Sequence, residues 1–337
     1  MLASALVAGA VAALGGASGA FAQVTLTASS WVPPGHLFSR AQAAWCDDVA
    51  GATEGRVRCN ILPSAPAAPQ QTFDAVRDGL VDLSFGLHGY TPERFVLTRI
   101  AELPFLGDSA VATSVAYQRI HARHLARFDE HRGLKVLAVF THGPGAIFNN
   151  KRPVRAVSDL KGLNFRIGGG MVNEVAKLLG VTAMLRPAPQ AYDLLASGAV
   201  DGVFFPMEAI RSFRLEKLVR YRTTLPGGLY NTSFAFVMNA ATWARIPSAD
   251  RAAIERLSGE VAARHFGNYW ETEDVASLRL QDEAGIRGTA ADAKLIAEVR
   301  ARTGGLEAAW IEAARARGLT NAAEVLAEFR AEIGRLR

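Results

Sequence analysis

Arg166 stands at the carboxyl end of the run Leu163–Ile167, where apolar residues alternate with Asn164 and Arg166. That alternation is the period of a strand with two unlike faces. Ligands of open α/β sheets bind outside the carboxyl ends of strands. A guanidinium placed there can hold a carboxylate through two parallel hydrogen bonds, or it can serve an internal ion pair; at this point both readings stand. Gly168-Gly169-Gly170 follows and opens a helical pattern, but Asn173 occupies the place of the third glycine of a dinucleotide fingerprint. The turn therefore suits a close approach of backbone and helix N-terminus to an anionic group.

Catalytic patterns are missing. The chain has no His-Glu-x-x-His, no Gly-x-Ser-x-Gly, no Walker loop and no Cys-x-x-Cys. No nucleophile–base or carboxylate pair falls in these segments, so the expectation is a binding protein without catalytic residues or a cofactor. His121 and His124 lie three apart near Asp129, Glu130 and His131. A solvated helix face accounts for them, and no metal is expected.

The elements that must carry Arg166 read as α/β. Of 337 residues, 50% are apolar and 20% charged, with 37 basic against 32 acidic side chains. These are globular proportions, long enough for two lobes. A net charge of +5 without clustered Lys/Arg among aromatics argues against nucleic acid as a partner. Met1–Ala22 is uncharged and ends Ala20-Phe21-Ala22, which reads as a secretory signal peptide cleaved after Ala22, hence an exported, periplasmic protein. Cys46 and Cys59 could be bridged in an oxidising compartment or could be two buried small hydrophobes. Strand patterns are expected at Val24–Ala28, Arg56–Leu62, Val81–Gly86, Leu134–Phe140, Leu163–Ile167, Val181–Leu185, Val200–Phe205 and Ser233–Asn239. Helical stretches separate them, and from Ser248 onward the pattern is almost purely helical.

The segment Ser158–Phe213 is the most specific. Asp159-Leu160-Lys161-Gly162-Leu163, Arg166, Tyr192, Gly198 and Val200-Asp201-Gly202 together resemble the substrate-binding proteins of tripartite ATP-independent periplasmic (TRAP) transporters. Ser30–His36, Val76–Gly79, Ala101–Leu106, Phe236–Asn239 and Trp243 are similar to that family too, over residues 24–275.

The resemblance implies a two-lobed periplasmic-binding-protein-like fold with discontinuous lobes, mixed but mainly parallel sheets and a long bridging helix. One lobe is expected from 23–143 plus about 233–258, the other from 144–232 plus about 275–337, with the bridging helix within about 248–280. It implies a clamp role for Arg166, capture of a small organic acid, and delivery to membrane permease subunits. A sensor subunit with the same site is an alternative reading, and an exported enzyme on a similar scaffold a more remote one. Many relatives carry a second arginine where this chain has Ala146, and Asn where it has Phe205. Phe204 and Phe205 alternate on a strand, so only Phe205 is expected at the site. Trp31, Tyr90 and Phe234 fall in segments that line the cleft in relatives. Asn231 aligns with a polar ligand contact but is equally placed to be a turn residue before a strand; His36 lies near the cleft mouth, where a helix-start role suits it better. With two polar clamps replaced by a methyl and a ring, the expected ligand is a monocarboxylate with an apolar or aromatic body, a 2-oxo acid or an aromatic acid.

Overall fold

The computed structural model describes residues 23–336, so the signal-peptide reading of Met1–Ala22 lies outside it. Eleven strands are described: β1 (Val24–Ala28), β2 (Val57–Ile61), β3 (Leu83–Leu87), β4 (Leu134–Thr141), β5 (Ala146–Asn149), β6 (Asn164–Ile167), β7 (Thr182–Leu185), β8 (Gly202–Phe205), β9 (Tyr221–Thr224), β10 (Ser233–Asn239) and β11 (Arg287–Ala290). They form two sheets, ordered β2-β1-β3-β10-β4 and β11-β9-β5-β8-β6-β7. Parallel pairing holds β1 to β2 and β3, β6 to β7 and β8, and β9 to β11, while β10 and β5 pair antiparallel to both their neighbours. The fold is thus mixed α/β on two sheets. The chain leaves the first sheet after β4, builds β5 to β9 in the second, returns for β10 and departs again for β11.

Three strands lie beyond the expected set: β5, β9 and β11. None of them shows a clear apolar–polar alternation. β11 is Arg-Gly-Thr-Ala on a sheet edge, mostly exposed, and interrupts the otherwise helical last third.

The helix Glu260–Glu283 spans 24 residues, about 36 Å at 1.5 Å per residue. Its buried positions Ala263, Phe266, Trp270, Glu273, Ser277 and Gln281 recur every three or four residues, one stripe along the helix. The stripe changes chemistry half-way. Ala262, Phe266 and Trp270 enter the aromatic core beneath the first sheet. Ser277 Oγ and Gln281 Nε2 instead donate to the Met207 carbonyl at 2.6 and 3.0 Å, on the chain leaving β8. One rigid rod therefore grips the first sheet by apolar packing and the second by hydrogen bonds.

The remaining helices divide. Ala293–Thr303 packs on Met171–Leu178, whereas Gly305–Ala316 meets Leu97–Glu102 and Ala322–Arg335 meets Ala110–Ile120. The last two helices thus pack with elements of the first sheet, a different grouping from the expected block 275–337, because Trp310, Val325 and Phe329 bury against that side. Cys46, on the helix Leu37–Ala52, and Cys59, on β2, are joined in a disulfide.

Candidate functional site

Where the two sheets face each other lies a cavity lined by side chains of both. Its first-sheet wall begins with Phe234 of β10, opposite Leu87 of β3 and Phe140 of β4 in register. Residues opposite one another share a face, so this wall is fixed by the pleat. Phe38 packs edge-on against Phe234 at 4.9 Å and Trp270 lies 6.2 Å from it. The Trp31 indole N–H donates to the Phe85 carbonyl at 2.8 Å, which satisfies its polar atom and leaves the ring for the cavity.

The second-sheet wall is set by β6, β8 and β5. Arg166 on β6 pairs with Val203 of β8, and Phe205 pairs with Ala146 of β5. The Ala146 methyl is therefore the neighbour of the Phe205 ring, and the two substituted positions lie side by side. The Arg166 guanidinium sits 4.4 Å over the Phe205 ring. Its Nε donates to the Arg186 carbonyl at 2.9 Å. Arg166 is only 2% exposed, and no Asp or Glu lies within ion-pair distance of it among the described residues. Burial pulls its pKa down, and the nearby Tyr90 and Tyr230 hydroxyls act in the opposite sense; it stays charged all the same. The guanidinium thus faces the cavity with aromatic rings, the Arg186 carbonyl and the Tyr90 hydroxyl around it, and a buried charge in neutral surroundings is costly.

The turn beside it is a different case. Gly168 lines the cavity, but Gly169 and Gly170 (φ +99° and +74°) pack against the Gly89 backbone, where an added Cβ would meet Gly89 atoms at 2.7 and 2.9 Å. The anionic group expected at this helix N-terminus is internal: Glu102 accepts from the Met171 N–H at 2.9 Å and from Ser233 Oγ at 2.7 Å. Tyr90 makes a second contact between the two sides, its hydroxyl accepting from the Ala188 N–H at 3.0 Å.

Of the expected site residues, Arg166, Phe205, Trp31, Tyr90, Phe234 and Gly168 border the cavity together. Asn231 does not. Its amide donates to the His142 and Gly143 carbonyls at 3.0 and 2.9 Å and holds the turn after β4, the turn role that its place before a strand also allowed. Phe204 borders the cavity along with Phe205, because the cavity wraps the end of β8. The rings still diverge: Phe204 packs on Phe165 and Tyr230, while Phe205 stacks on Phe213 at 5.7 Å. His36 serves two ends: its Nδ1 accepts from the Phe38 N–H at 3.1 Å, capping the helix Leu37–Ala52, and its ring lines the cavity.

Sequence reasoning missed Glu208, His142, Phe213, Tyr230 and Trp270. Glu208 carried a usable signal, since it follows the carboxyl end of β8 as Arg166 ends β6. Burial pushes Glu208 up to about 8, with Asp274 and Glu273 adding to the rise. Ser212 Oγ donates to its Oε2 at 2.6 Å. His142 and His36 are held neutral by burial, at about 4 and about 3. His142 Nδ1 bonds the Gly143 carbonyl and leaves Nε2 as a buried acceptor without a partner. His121 and His124 part company, the latter meeting Glu328 at 2.7 Å and the former packing on the His131 ring. No described group of His, Cys, Asp and Glu could hold a metal ion, and no described helix is long and apolar enough to cross a membrane.

Comparison with known proteins bears on this arrangement. Residues 28–312 match the profile of bacterial extracellular solute-binding protein, family 7. The outer membrane transporter protein TsaT of Comamonas testosteroni is 30% identical over 96% of this chain and 95% of its own. A TRAP periplasmic solute-binding protein of Bordetella bronchiseptica, crystallised with (R)- and (S)-mandelate, is 43% identical with a TM-score of 0.91, covering 93% of this chain and 100% of that one. A marine metagenome TRAP protein bound to 3-hydroxybenzoate is 31% identical with a TM-score of 0.87, covering 93% and 99%. A Rhodoferax ferrireducens TRAP protein with copurified benzoate is 28% identical, also at a TM-score of 0.87, covering 93% and 98%. TRAP binding proteins are periplasmic and work with membrane permease subunits. The chain belongs to the family 7 extracellular solute-binding proteins, the substrate-binding proteins of TRAP transporters.

Proposed function

We propose that this protein captures a small aromatic monocarboxylate in the periplasm after cleavage of the signal peptide, and delivers it to a membrane permease. Arg166 is the carboxylate clamp in this reading. One observation carries it: a buried guanidinium, without an acidic partner among the described residues, faces a cavity walled by Trp31, Tyr90, Phe205, Phe213 and Phe234. The ligand carboxylate supplies the missing counter-charge, and the rings bury the ligand's body. Burying roughly 150 Å² of aromatic surface contributes about 4 kcal/mol. The similar proteins with bound mandelate, 3-hydroxybenzoate and benzoate support an aromatic acid over the 2-oxo acid that the sequence also allowed.

Closure brings the β6–β8 wall against the β3–β10 wall around the ligand, with the helix Glu260–Glu283 as the shared support. The last two helices move with the first sheet in this scheme, since they pack on it. Nothing in the site supplies a nucleophile with its base, so binding without turnover is the reading it supports.

A thermal-shift panel tests this. Benzoate, phenylacetate and mandelate should each raise the melting temperature by several degrees, with pyruvate weaker and succinate and sialic acid without effect. Stabilisation by succinate or sialic acid alone contradicts it.

A further inference from the structure

The cavity has a second polar end. From Arg166 the contacts run through Phe205 to Phe213 (ring centres 5.7 Å apart), then to the His36 ring at 5.4 Å, and end at Glu208. His36 Nδ1 is occupied by the Phe38 N–H that it accepts. In the neutral ring the proton is therefore on Nε2, which makes that atom a donor. Nε2 lies 3.7 Å from Glu208 Oε1, too far for a hydrogen bond. Ser212 takes the other carboxyl oxygen, Oε2. Oε1 has no closer partner among the described residues. Both residues are buried, at 4% and 2% exposure, and both line the cavity. A donor and a carboxyl oxygen thus face one cavity with a gap between them.

An oxygen about 2.8 Å from each atom fits that gap. We propose that His36 Nε2 and Glu208 Oε1 form a hydroxyl subsite, so that the preferred ligand is an aromatic monocarboxylate with a hydroxyl on its ring, remote from the carboxylate. This rests on Arg166 holding the carboxylate. The hydroxyl oxygen accepts from His36 Nε2 and exchanges a second hydrogen bond with Glu208 Oε1. Asp274 stands behind, its Oδ1 accepting from the Glu208 N–H at 2.8 Å. Nearby, Glu273 already pairs with Arg40 and Arg211. Arg40 and Arg211 are thereby committed to Glu273 rather than free to receive a second carboxylate. The raised pKa of Glu208 keeps this end neutral near pH 7, so the same pair that accepts a hydroxyl rejects a dianion. A methyl group in the same place would strand both polar atoms, which is how a hydroxyl-reading site discriminates.

The test is calorimetric titration of the mature protein with benzoate, phenylacetate and their 3- and 4-hydroxy derivatives, alongside isophthalate. At least one ring-hydroxylated acid should bind tenfold or more tightly than its parent, and isophthalate should bind at least a hundredfold more weakly than that acid. In Glu208→Met the hydroxyl-to-parent ratio should shrink to within threefold, whereas Glu208→Gln should keep most of it. Parents that bind with no gain from any ring hydroxyl overturn the subsite and leave the Arg166 reading standing. So does a ratio unchanged in Glu208→Met. If no aromatic acid binds at all, the function reading falls and the subsite with it. The wild-type series decides the matter even if Glu208→Met fails to fold.

Discussion

Two buried charges flank the glycine turn after β6, and their surroundings differ. Glu102 is satisfied from within: the Met171 N–H and the Ser233 hydroxyl point at its two oxygens. Arg166 is as deeply buried yet has only neutral company: the Arg186 carbonyl, the Tyr90 hydroxyl and an aromatic face. Removing water from a charge is costly unless hydrogen bonds replace the water. Glu102 recovers that cost in the empty protein, since it ties the helix Met171–Leu178 to β10. In the function proposed above, Arg166 recovers it only when an anion binds. That reading makes the first charge architectural and the second a binding device, although both look alike as single polar letters in apolar surroundings.

Substitutions should separate the two. Arg166→Ala should weaken benzoate binding by several hundredfold or more, about 3–5 kcal/mol, while the empty protein melts no lower than wild type. Titration together with calorimetric melting measures both, and a large fall in melting temperature with affinity intact reverses the assignment. Glu102→Ala should do the opposite to stability. It strands the Met171 N–H and the Ser233 hydroxyl in a buried place and costs about 2–4 kcal/mol of folding free energy, read as a lower urea midpoint. A midpoint within error of wild type removes the architectural role.

Phe205→Leu sharpens the comparison on the Arg166 side. It removes the ring face beneath the guanidinium and should cost about 1–2 kcal/mol of binding, roughly a five- to thirtyfold rise in Kd. Equal affinity for benzoate would show that Phe205 is wall only.

The smallest effect concerns pH. Burial raises Glu208 to about 8 and Asp274 to about 7. Near neutrality Glu208 is protonated in the fold and Asp274 about half so, but both ionise in the unfolded chain above about pH 4.5. Their stabilising contribution is complete below that point and is lost as pH rises through 7 to 8. Burial lowers His36 to about 3 and His121 and His142 to about 4. Their contribution is present above pH 6.5 and lost as pH falls toward 4. The melting temperature should peak near pH 6.5 and decline to pH 8.5, with Glu208→Gln flattening the alkaline side. A wild-type curve that rises from pH 6.5 to 8.5 contradicts the sign.

The sequence made most of the fold legible because strand and helix periods are local. Val24–Ala28, Asn164–Ile167 and Ser233–Asn239 show theirs clearly, and each is a strand. β5, β9 and β11 were hidden, since Ala-Ile-Phe-Asn, Tyr-Arg-Thr-Thr and Arg-Gly-Thr-Ala show no clear apolar–polar alternation and β5 is buried throughout. At the site, Arg166 and Phe205 were legible from strand ends and from the linked motifs around them. Asn231 was open between a ligand contact and a turn, because a sequence shows that a polar residue precedes a strand but not that its amide donates to two carbonyls of the turn after β4. Trp270 had no signal at all. It is one apolar position among several in a helical stripe, and only the docking of that helix on β4 and the helix Leu37–Ala52 brings it to the cavity.

A crystal structure of the mature protein with benzoate tests the clamp most directly. The account predicts the carboxylate oxygens within about 3 Å of the terminal nitrogens of Arg166, with the ring packed against Phe205 and Phe213. A carboxylate found at His36 and Glu208, with only the ring near Arg166, would contradict it.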